Sequence, residues 1–544
     1  MLRKSFLALS LLTFLFNVTS NAQFQLIKDF DSGTLNSFKS DYSGILYTIG
    51  SNVIVQYDSI SAGQYTGLTT LAAVDKLGNS QFITSIQTNY DNSSFFDFVT
   101  LPNGKIAFIS RAANGASKVI ISNGTTAGST EVYTSTKIID GLECIDNGLY
   151  FTYDGDPNHA LMKIDLTTLA VTQVKEFGYF GMISDISKVS NTSLIFFAPD
   201  ATDNNSLKLY VSDGTTTGTT PLATINTTGG VSQNTVMTQV GNKVYFFYKN
   251  PGTDCCNNLW VTDGTIAGTQ NLKEFNIVFL TDFVREGKAL AWDNKFYFAA
   301  VPTGGNSNND ESLWVSDGTV NGTVRLNDPA DYKNVKDFTV FKGELYFTAY
   351  SNSSYSRKLY KTDGTELGTS YVGLTSSTSS SLSPYSISSD GAYLYLAADN
   401  ITYGAEVFRY DGISSQCAVS DGVSGNGSSN PTDLVINGSD LFFVADLPAS
   451  GKELYTTEFT SVATHIKSSD PISVIIYPNP ASNQITVSSS QKIESIRLLN
   501  QMGNVLVDTK ENTIALNSYS QGVYFVEVQL MNGENGFYKI IITK

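Results

Sequence analysis

The residues with the clearest capacity for chemistry are aspartates that recur in a fixed setting. Each follows an apolar run and precedes a glycine. Two such carboxylates converging from different copies could act as general acid and general base in glycoside hydrolysis. Each also stands where a tight turn requires a polar residue, so the pattern favours a turn over catalysis. The residues of this repeated turn are Asp213, Gly214, Asp263, Gly264, Asp317, Gly318, Asp363 and Gly364, with Asp411 in a weaker copy.

The two histidines, His159 and His465, leave little room for imidazole chemistry. A Ser-His-Asp triad needs a positioned histidine, and zinc sites commonly use several. No nucleophile elbow, phosphate-binding loop or His-Glu-x-x-His motif occurs in the chain. We expect both histidines to lie on the surface or in loops, and the sequence predicts no catalytic residue, metal or cofactor.

Acidic loops are the remaining candidates for a metal. Stretches beginning at Asp154, Asp200 and Asn306 carry several oxygen ligands of the kind calcium prefers, but none has the spacing of an EF-hand. We expect solvated loops there.

Four cysteines, Cys144, Cys255, Cys256 and Cys417, are few for 544 residues. Stability must therefore come from apolar cores, and the sequence leaves the disulfide pairing open.

A long internal repeat positions these turns. Its second element is an alternating aromatic strand, such as VYFF from Val244, and these strands start 43 to 52 residues apart. This period is typical of β-propeller blades. In LWVT from Leu259, we expect Leu259 and Val261 to face one side and Trp260 the other. The turn motif reads LYVSDGTTTGT from Leu209, LWVTDGTIAGT from Leu259, LWVSDGTVNGT from Leu313, LYKTDGTELGT from Leu359 and VIISNGTTAGS from Val119.

The repeat predicts an all-β chain. Each unit reads as a four-stranded sheet that buries both faces by packing against its neighbours. We expect Asp263 and Gly264 to adopt positive φ in the turn. The sequence predicts a multi-bladed β-propeller of seven to nine blades, with eight as the best estimate, followed by a small C-terminal β-sandwich. LIKDF at Leu26 looks like an outer strand without its blade, which favours sharing of one blade between the chain ends.

These copies resemble the ELWxTDGTxxGT repeat of secreted bacterial β-propeller proteins, over about residues 40–466. In a propeller of this kind, the uniform Asn-Gly and Asp-Gly-Thr turns lie on one rim. The variable loops after the aromatic strands lie on the other, as at Arg111, Lys249, Val301 and Tyr350. Since binding sites commonly lie on loops of a rigid scaffold, we expect a ligand on this second rim or in the channel mouth.

The N-terminus reads as a secretory signal peptide. Arg3 and Lys4 precede an apolar run from Phe6 to Phe16, and small residues lead to a cleavage point between Ala22 and Gln23. The run is too short to span a bilayer, and no later stretch is long and apolar enough. The formal net charge of −16 disfavours nucleic acid and suits a soluble monomer.

Composition changes near Ser468, and the last part of the chain leaves the repeat. It carries four short motifs in order, and together these resemble a type A sorting domain of the type IX secretion system. The resemblance implies export across the outer membrane, with release or surface attachment, and the secretion machinery as partner. The residues that carry it are Tyr477, Pro478, Asn479, Pro480, Gly503, Gly522, Tyr524 and Lys539.

The predicted organisation is therefore a signal peptide at 1–22, a propeller at 23–466, a linker at 467–472 and a sorting domain at 473–544. We expect a non-enzymatic binding, adhesion or scaffold module for polysaccharide or a surface protein. The alternative is a secreted carbohydrate-active hydrolase that uses carboxylates in the channel.

Overall fold

The chain is all strand and turn wherever the structure, a computed structural model, describes it. Within that part, no helix is long and apolar enough to cross a membrane. The chain divides into two compact units, 1–459 and 460–544. The described residues are 24–30, 37–38, 44–61, 64–87, 94–155, 159–177, 184–199, 207–225, 237–249, 257–277, 287–305, 311–326, 332–351, 356–376, 378, 380–457, 459, 474–479, 481–489, 492–500, 505–530 and 535–543.

Over the described residues, the first unit contains nine four-stranded antiparallel blades, two of which are joined into one eight-stranded sheet. Strand β1 (Phe24–Lys28) belongs to the last of them. Blade 1 contains β2 (Gly44–Ile49), β3 (Asn52–Ser61), β4 (Gln64–Val74) and β5 (Ser80–Gln87); blade 2, β6 (Ser94–Thr100), β7 (Ile106–Arg111), β8 (Ser117–Ser122) and β9 (Thr130–Ser135); blade 3, β10 (Ile138–Ile145), β11 (Gly148–Asp154), β12 (His159–Asp165) and β13 (Val171–Phe177).

The next three blades follow the same order. Blade 4 contains β14 (Ser184–Ser190), β15 (Ser193–Pro199), β16 (Leu207–Ser212) and β17 (Thr220–Ile225); blade 5, β18 (Met237–Val240), β19 (Lys243–Lys249), β20 (Asn257–Thr262) and β21 (Gln270–Ile277); blade 6, β22 (Ala289–Trp292), β23 (Lys295–Pro302), β24 (Ser312–Ser316) and β25 (Val324–Arg325). Blades 5 and 6 are also joined, because β21 pairs with the end of β23.

The last three blades complete the ring. Blade 7 contains β26 (Tyr332–Phe341), β27 (Glu344–Ser351), β28 (Arg357–Thr362) and β29 (Ser370–Val372); blade 8, β30 (Ser383–Ser389), β31 (Leu394–Asn400), β32 (Gly404–Tyr410) and β33 (Ala418–Ser420); blade 9, β34 (Thr432–Asn437), β35 (Asp440–Leu447), β36 (Gly451–Thr457) and, from the other chain end, β1. From blade 2 to blade 9, the first strand of each blade contacts the first strand of the next, and that of blade 9 contacts that of blade 1. Blades 1 and 2 share an apolar core, which closes the ring.

The aromatic second strands are buried along most of their length because both of their faces lie between blades. In β19, Val244 through Tyr248 are all buried. These second strands therefore carry near-continuous apolar residues, although their sheets are antiparallel. In β20, the third strand of the same blade, Leu259 and Val261 pack in a core with blade 6 residues, whereas Trp260 packs with blade 4 residues. The alternation predicted for LWVT is confirmed.

The ring closes through the two ends of the first unit. Strand β1 pairs antiparallel with β36, and Phe24 lies opposite Thr457. The prediction that LIKDF supplies an outer strand is confirmed. Because β1 completes a sheet that the C-terminal end begins, the described residues form nine blades, at the top of the predicted range and one above the best estimate of eight.

The second unit has seven described strands in two sheets. One sheet has the order β37-β38-β41 and the other β40-β39-β42-β43. Residues of both sheets, such as Ile485 and Val526, share one apolar core. The strands are β37 (Val474–Tyr477), β38 (Gln484–Ser489), β39 (Ile493–Leu499), β40 (Val505–Thr509), β41 (Thr513–Ala515), β42 (Gly522–Leu530) and β43 (Asn535–Ile542).

Two cysteines are described, and both are free thiols. Cys417 is buried, and burial raises the pKa of its thiol to about 12. Cys144 is half-buried in β10. Cys255 and Cys256 lie outside the described residues.

Candidate functional site

The repeated aspartate of each Asp-Gly-Thr turn caps its own turn. In blade 5, the Asp263 Oδ1 atom accepts hydrogen bonds from the backbone N–H of Thr265 (2.9 Å) and from its hydroxyl (2.6 Å). The Thr265 Oγ1 atom accepts from the Gly268 N–H at 3.0 Å, and Thr269 donates to the Thr265 carbonyl at 2.6 Å. The motif thus satisfies its own polar groups locally. The same bonds recur around Asp213, Asp317 and Asp363.

The glycines of the turn have two separate roles. Gly264 has a φ of +84°, in the left-handed region, whereas Asp263 does not have positive φ. The prediction of positive φ at Asp263 is wrong, because this residue ends the strand and uses its side chain as the cap. At Gly268, a Cβ would overlap the Asp263 carboxylate.

The turn hydrogen bonds also hold these carboxylates ionised. The Thr265 hydroxyl beside Asp263 lowers the pKa of that carboxyl, and the same cause acts on the other copies. An acid whose pKa is lowered is a poor proton donor near neutral pH.

Each turn covers the blade that precedes it. The Thr216 hydroxyl of blade 4 donates to the Val174 carbonyl of blade 3 at 2.7 Å. Gly318 of blade 6 lies above Tyr245 of blade 5, since a Cβ on that glycine would lie 2.9 Å from the tyrosine hydroxyl. In these blades, the turn therefore lies directly against the strands of the preceding blade.

Blade 9 breaks this rule. Its third strand, β36, ends at Thr457, and its fourth strand comes from the N-terminal end, so no Asp-Gly-Thr turn joins them. A pocket of about 370 Å³ lies at this seam. We call it the seam pocket, and its lining residues are Gln25, Lys76, Leu77, Tyr395, Arg409, Ser439, Asp440, Leu441, Thr456, Thr457 and Phe459.

Arg409 is the central cation of the seam pocket. Its guanidinium lies over the rings of Tyr393 (4.2 Å) and Phe459 (4.8 Å) and donates to the Phe459 carbonyl at 3.3 Å. In the part of the chain that is described, no carboxylate pairs with it. Lys76 pairs with Asp440 at 3.2 Å.

Two buried glutamates fasten irregular connections. The Glu453 carboxylate accepts from the Ser37 hydroxyl (2.5 Å) and from the N–H of Phe30 (3.1 Å), which ties the N-terminal segment to β36. The Glu406 carboxylate accepts from the Ser429 hydroxyl (2.7 Å) and from the N–H of Gly422 (3.0 Å). Burial raises the pKa of Glu453 to about 8 and that of Glu406 to about 7.

Two further acids meet on the innermost strands of blades 2 and 3. Asp97 accepts from the Gly141 N–H at 2.9 Å, and Asp140 pairs with Arg111 at 2.6 Å. The surrounding protein and then the Asp140 charge raise the pKa of Asp97 to about 6, although part of its surface is exposed.

His159 corrects the prediction of a surface or loop histidine. It is the first residue of β12, it is buried, and its Nδ1 atom lies 2.6 Å from Asp154. The buried pairing explains the position, because β12 packs between blades. His465 lies outside the described residues, as do Asp200 and Asn306. Across the described ranges, no three His, Cys, Asp or Glu residues are grouped to hold a metal.

In the second unit, three of the sequence motifs meet. The Asn479 Oδ1 atom accepts from the N–H of Ile541 in the last strand at 2.9 Å. Gly522 opens β42, which pairs along its length with β43, and Phe525 lies opposite Lys539. The Tyr524 hydroxyl donates to the Ser520 carbonyl at 3.1 Å. Tyr477 and Pro478 are exposed, whereas Pro480 and Gly503 lie outside the described residues.

The segment with these motifs has a known counterpart. Residues 475–543 match the family of secretion system C-terminal sorting domains. The sorting domain marks proteins that the type IX secretion system exports, so this protein is delivered across the outer membrane to the cell surface or the extracellular space. Ala22 and Gln23, the predicted signal cleavage residues, lie outside the described residues.

No curated protein matches the chain in sequence. Solved structures resemble it at low identity. The β-propeller domain of the Trilobed protease from Pyrococcus furiosus is 17% identical, with 60% of this chain and 97% of that chain covered and a TM-score of 0.33. Dipeptidyl peptidase 4 from Porphyromonas gingivalis is 10% identical, with 75% and 64% covered and a TM-score of 0.44. No activity follows from these likenesses.

The sequence did not single out Arg409, Glu406 or Glu453. Arg409 occupies the strand position that carries Val211 or Val261 in blades 4 and 5 but Lys361 in blade 7, so its charge alone gave no signal in the sequence. Glu453 and Glu406 each stand immediately before the apolar residues of a third strand. Their blades, 9 and 8, lack the regular Asp-Gly-Thr turn, and a glutamate at this position was the available signal. The predicted second-rim loops fall largely outside the described residues.

Proposed function

We propose that this exported protein is a non-enzymatic binding module, an adhesin or scaffold that recognises polysaccharide or a surface protein. The observation that carries the proposal is the use of the repeated acids. In four successive blades, the aspartate carboxylate caps its own turn, and its pKa is lowered. The most regular acids of the chain therefore build the frame and are unsuited to proton donation.

The second rim supplies contacts suited to recognition. Tyr350 is 37% exposed at the end of an aromatic strand. The buried Arg357 lies 4.5 Å from the centre of the Tyr350 ring and bonds to the Asn334 carbonyl, so it holds the ring in place. Exposed aromatic side chains on a rigid scaffold are common anchors of binding surfaces.

The test is a panel of polysaccharides and surface proteins probed with the secreted protein, with binding and release of reducing ends measured together. We expect binding without release. Tyr350→Ala should weaken binding, and Tyr371→Ala, an exposed tyrosine on an outer strand of the same blade, should not. Release of reducing ends would contradict the proposal.

One observation favours the alternative, a carbohydrate-active hydrolase. Asp97, with its pKa raised to about 6, has the protonation behaviour of a general acid, and the Asp140 carboxylate is its electrostatic neighbour. If the protein is a hydrolase, Asp97→Asn abolishes release of reducing ends while Asp263→Asn retains it. If both variants release nothing, like the parent, the binding module stands.

A further inference from the structure

We infer that the seam pocket is a second binding site, separate from the second rim, that takes the carboxylate of an acidic sugar such as a uronic acid. The juxtaposition behind this inference is Arg409, Lys76, Gln25 and Ser439 around one opening of about 370 Å³. That volume is within the range of small-ligand pockets.

Among the described residues, no turn of the regular kind covers this place in blade 9. In blades 3, 5 and 6, the first tyrosine of the aromatic strand lies under a glycine of the next blade's turn, as Tyr297 lies under Gly364. Tyr395 holds the same place in blade 8, but the next blade has no such turn. Tyr395 therefore lines the pocket.

Arg409 gives the pocket its ligand class. Two aromatic rings hold the planar guanidinium in place, and one carbonyl uses one of its five N–H donors. An arginine held in this way can bind a carboxylate through two parallel hydrogen bonds. Lys76 adds a second cation, and its Asp440 partner occupies one of its three donors.

The remaining lining suits a sugar. The Gln25 amide and the Ser439 hydroxyl are exposed, and neither makes a side-chain hydrogen bond within the described part of the chain. They can bond separate hydroxyl groups of one ring. A peptide adds along an unpaired strand edge through its backbone, whereas the polar groups named here are side chains that come from several strands and two turns.

The experiment titrates the secreted protein with glucuronate and galacturonate oligosaccharides, with the matching neutral oligosaccharides and with an acidic peptide, by calorimetry. We expect the uronates to bind and the neutral sugars to bind at least about tenfold more weakly, since the charge-assisted bonds are lost. Arg409→Gln should weaken uronate binding by about tenfold or more. Arg325→Gln removes the same charge from the outer strand of blade 6 and should leave binding unchanged.

Lys76→Gln keeps the test decisive if Arg409→Gln disturbs packing, because Lys76 lies on an exposed turn and makes one ion pair. This variant should weaken uronate binding severalfold. Equal binding of acidic and neutral sugars, no uronate binding, preference for the acidic peptide, or unchanged binding in Lys76→Gln would each overturn the inference. None of these results bears on second-rim binding, which Tyr350→Ala tests separately.

Discussion

The turns of blades 4–7 and the seam of blade 9 solve the same problem in different ways. In the regular blades, one continuous stretch ends the third strand, caps itself with aspartate and covers the preceding blade. At the seam, the third and fourth strands come from opposite ends of the unit. A buried glutamate, Glu453, holds the joint, and the place of the covering turn is left open as the seam pocket.

The comparison between the regular turns and the seam shows which part of this repeat can carry side chains that are not needed to build the frame. Local bonds within a regular turn leave its polar groups satisfied, so every copy can be uniform. The seam depends on long-range bonds and departs from the uniform pattern, and there the Arg409 guanidinium lies beside the opening. The binding site inferred here lies where the repeat is least regular.

The largest effect should come from removing the carboxylate that holds the seam. Glu453→Ala would leave the buried Ser37 hydroxyl and the Phe30 N–H without their acceptor. We expect a loss of about 3 kcal/mol in the free energy of unfolding, measured by urea titration, because buried donors are then unsatisfied. Glu453→Gln keeps an acceptor oxygen and should lose less. Equal losses in the two variants would show that the acceptor is not what matters.

Within a regular turn, the tightest position is the second glycine. Gly268→Ala would push a Cβ into the Asp263 carboxylate and break the cap, and we expect a loss of about 2 kcal/mol. Gly373→Ala is the matched control, because its Cβ would make ordinary contact with Tyr371 at 3.5 Å. Thermal unfolding compares the two, and a stable Gly268→Ala protein would refute the role given to the cap.

The seam and the turns should also respond differently to pH. The pKa of Glu453 rises from 4.5 to about 8 on folding and that of Glu406 to about 7, so their contribution to stability is full below pH 4.5. It is lost progressively as pH rises from 4.5 through 8. Urea unfolding at a series of pH values measures this loss, and Glu453→Gln should flatten its upper part. A stability that rises from pH 5 to pH 8 would contradict it.

The smallest expected effect is the loss of one hydroxyl from a turn. Thr265→Val removes the bond to Asp263 and the acceptor for the Gly268 N–H at an exposed site, and we expect a loss of about 1 kcal/mol. Ile266→Val, at the neighbouring exposed position, should change stability little. Thermal unfolding compares the two variants. An equal fall in melting temperature would show that the Thr265 hydroxyl stabilises the turn no more than the exposed Ile266 side chain does.

Much of the fold could be predicted because the signal is periodic and local. Alternation around Trp260 predicts the third strand and the Asp-Gly-Thr turn that follows it. The isolated strand sequence at Leu26 predicts the blade that the two chain ends share. The exact blade count was less accessible, since the terminal units lack the full motif.

The candidate site could not be predicted in the same way. The seam pocket joins Gln25 and Lys76 to Arg409, residues from opposite ends of the first unit, and no sequence pattern links them. His159 was misjudged because a loop-like sequence, with Asp154 nearby, folds into a buried strand. Contacts of this kind depend on closure of the ring.

That closure also sets an order of events in time. Ser37 and Glu453 are 416 residues apart in the chain, and β1 has no partner until β36 exists. Contacts between residues so distant in sequence form late and slowly, because the intervening chain must first be organised. Eight blades can assemble from local contacts, whereas the ninth must await its last strand, so the N-terminal strand remains an unpaired edge until folding of the unit is nearly complete.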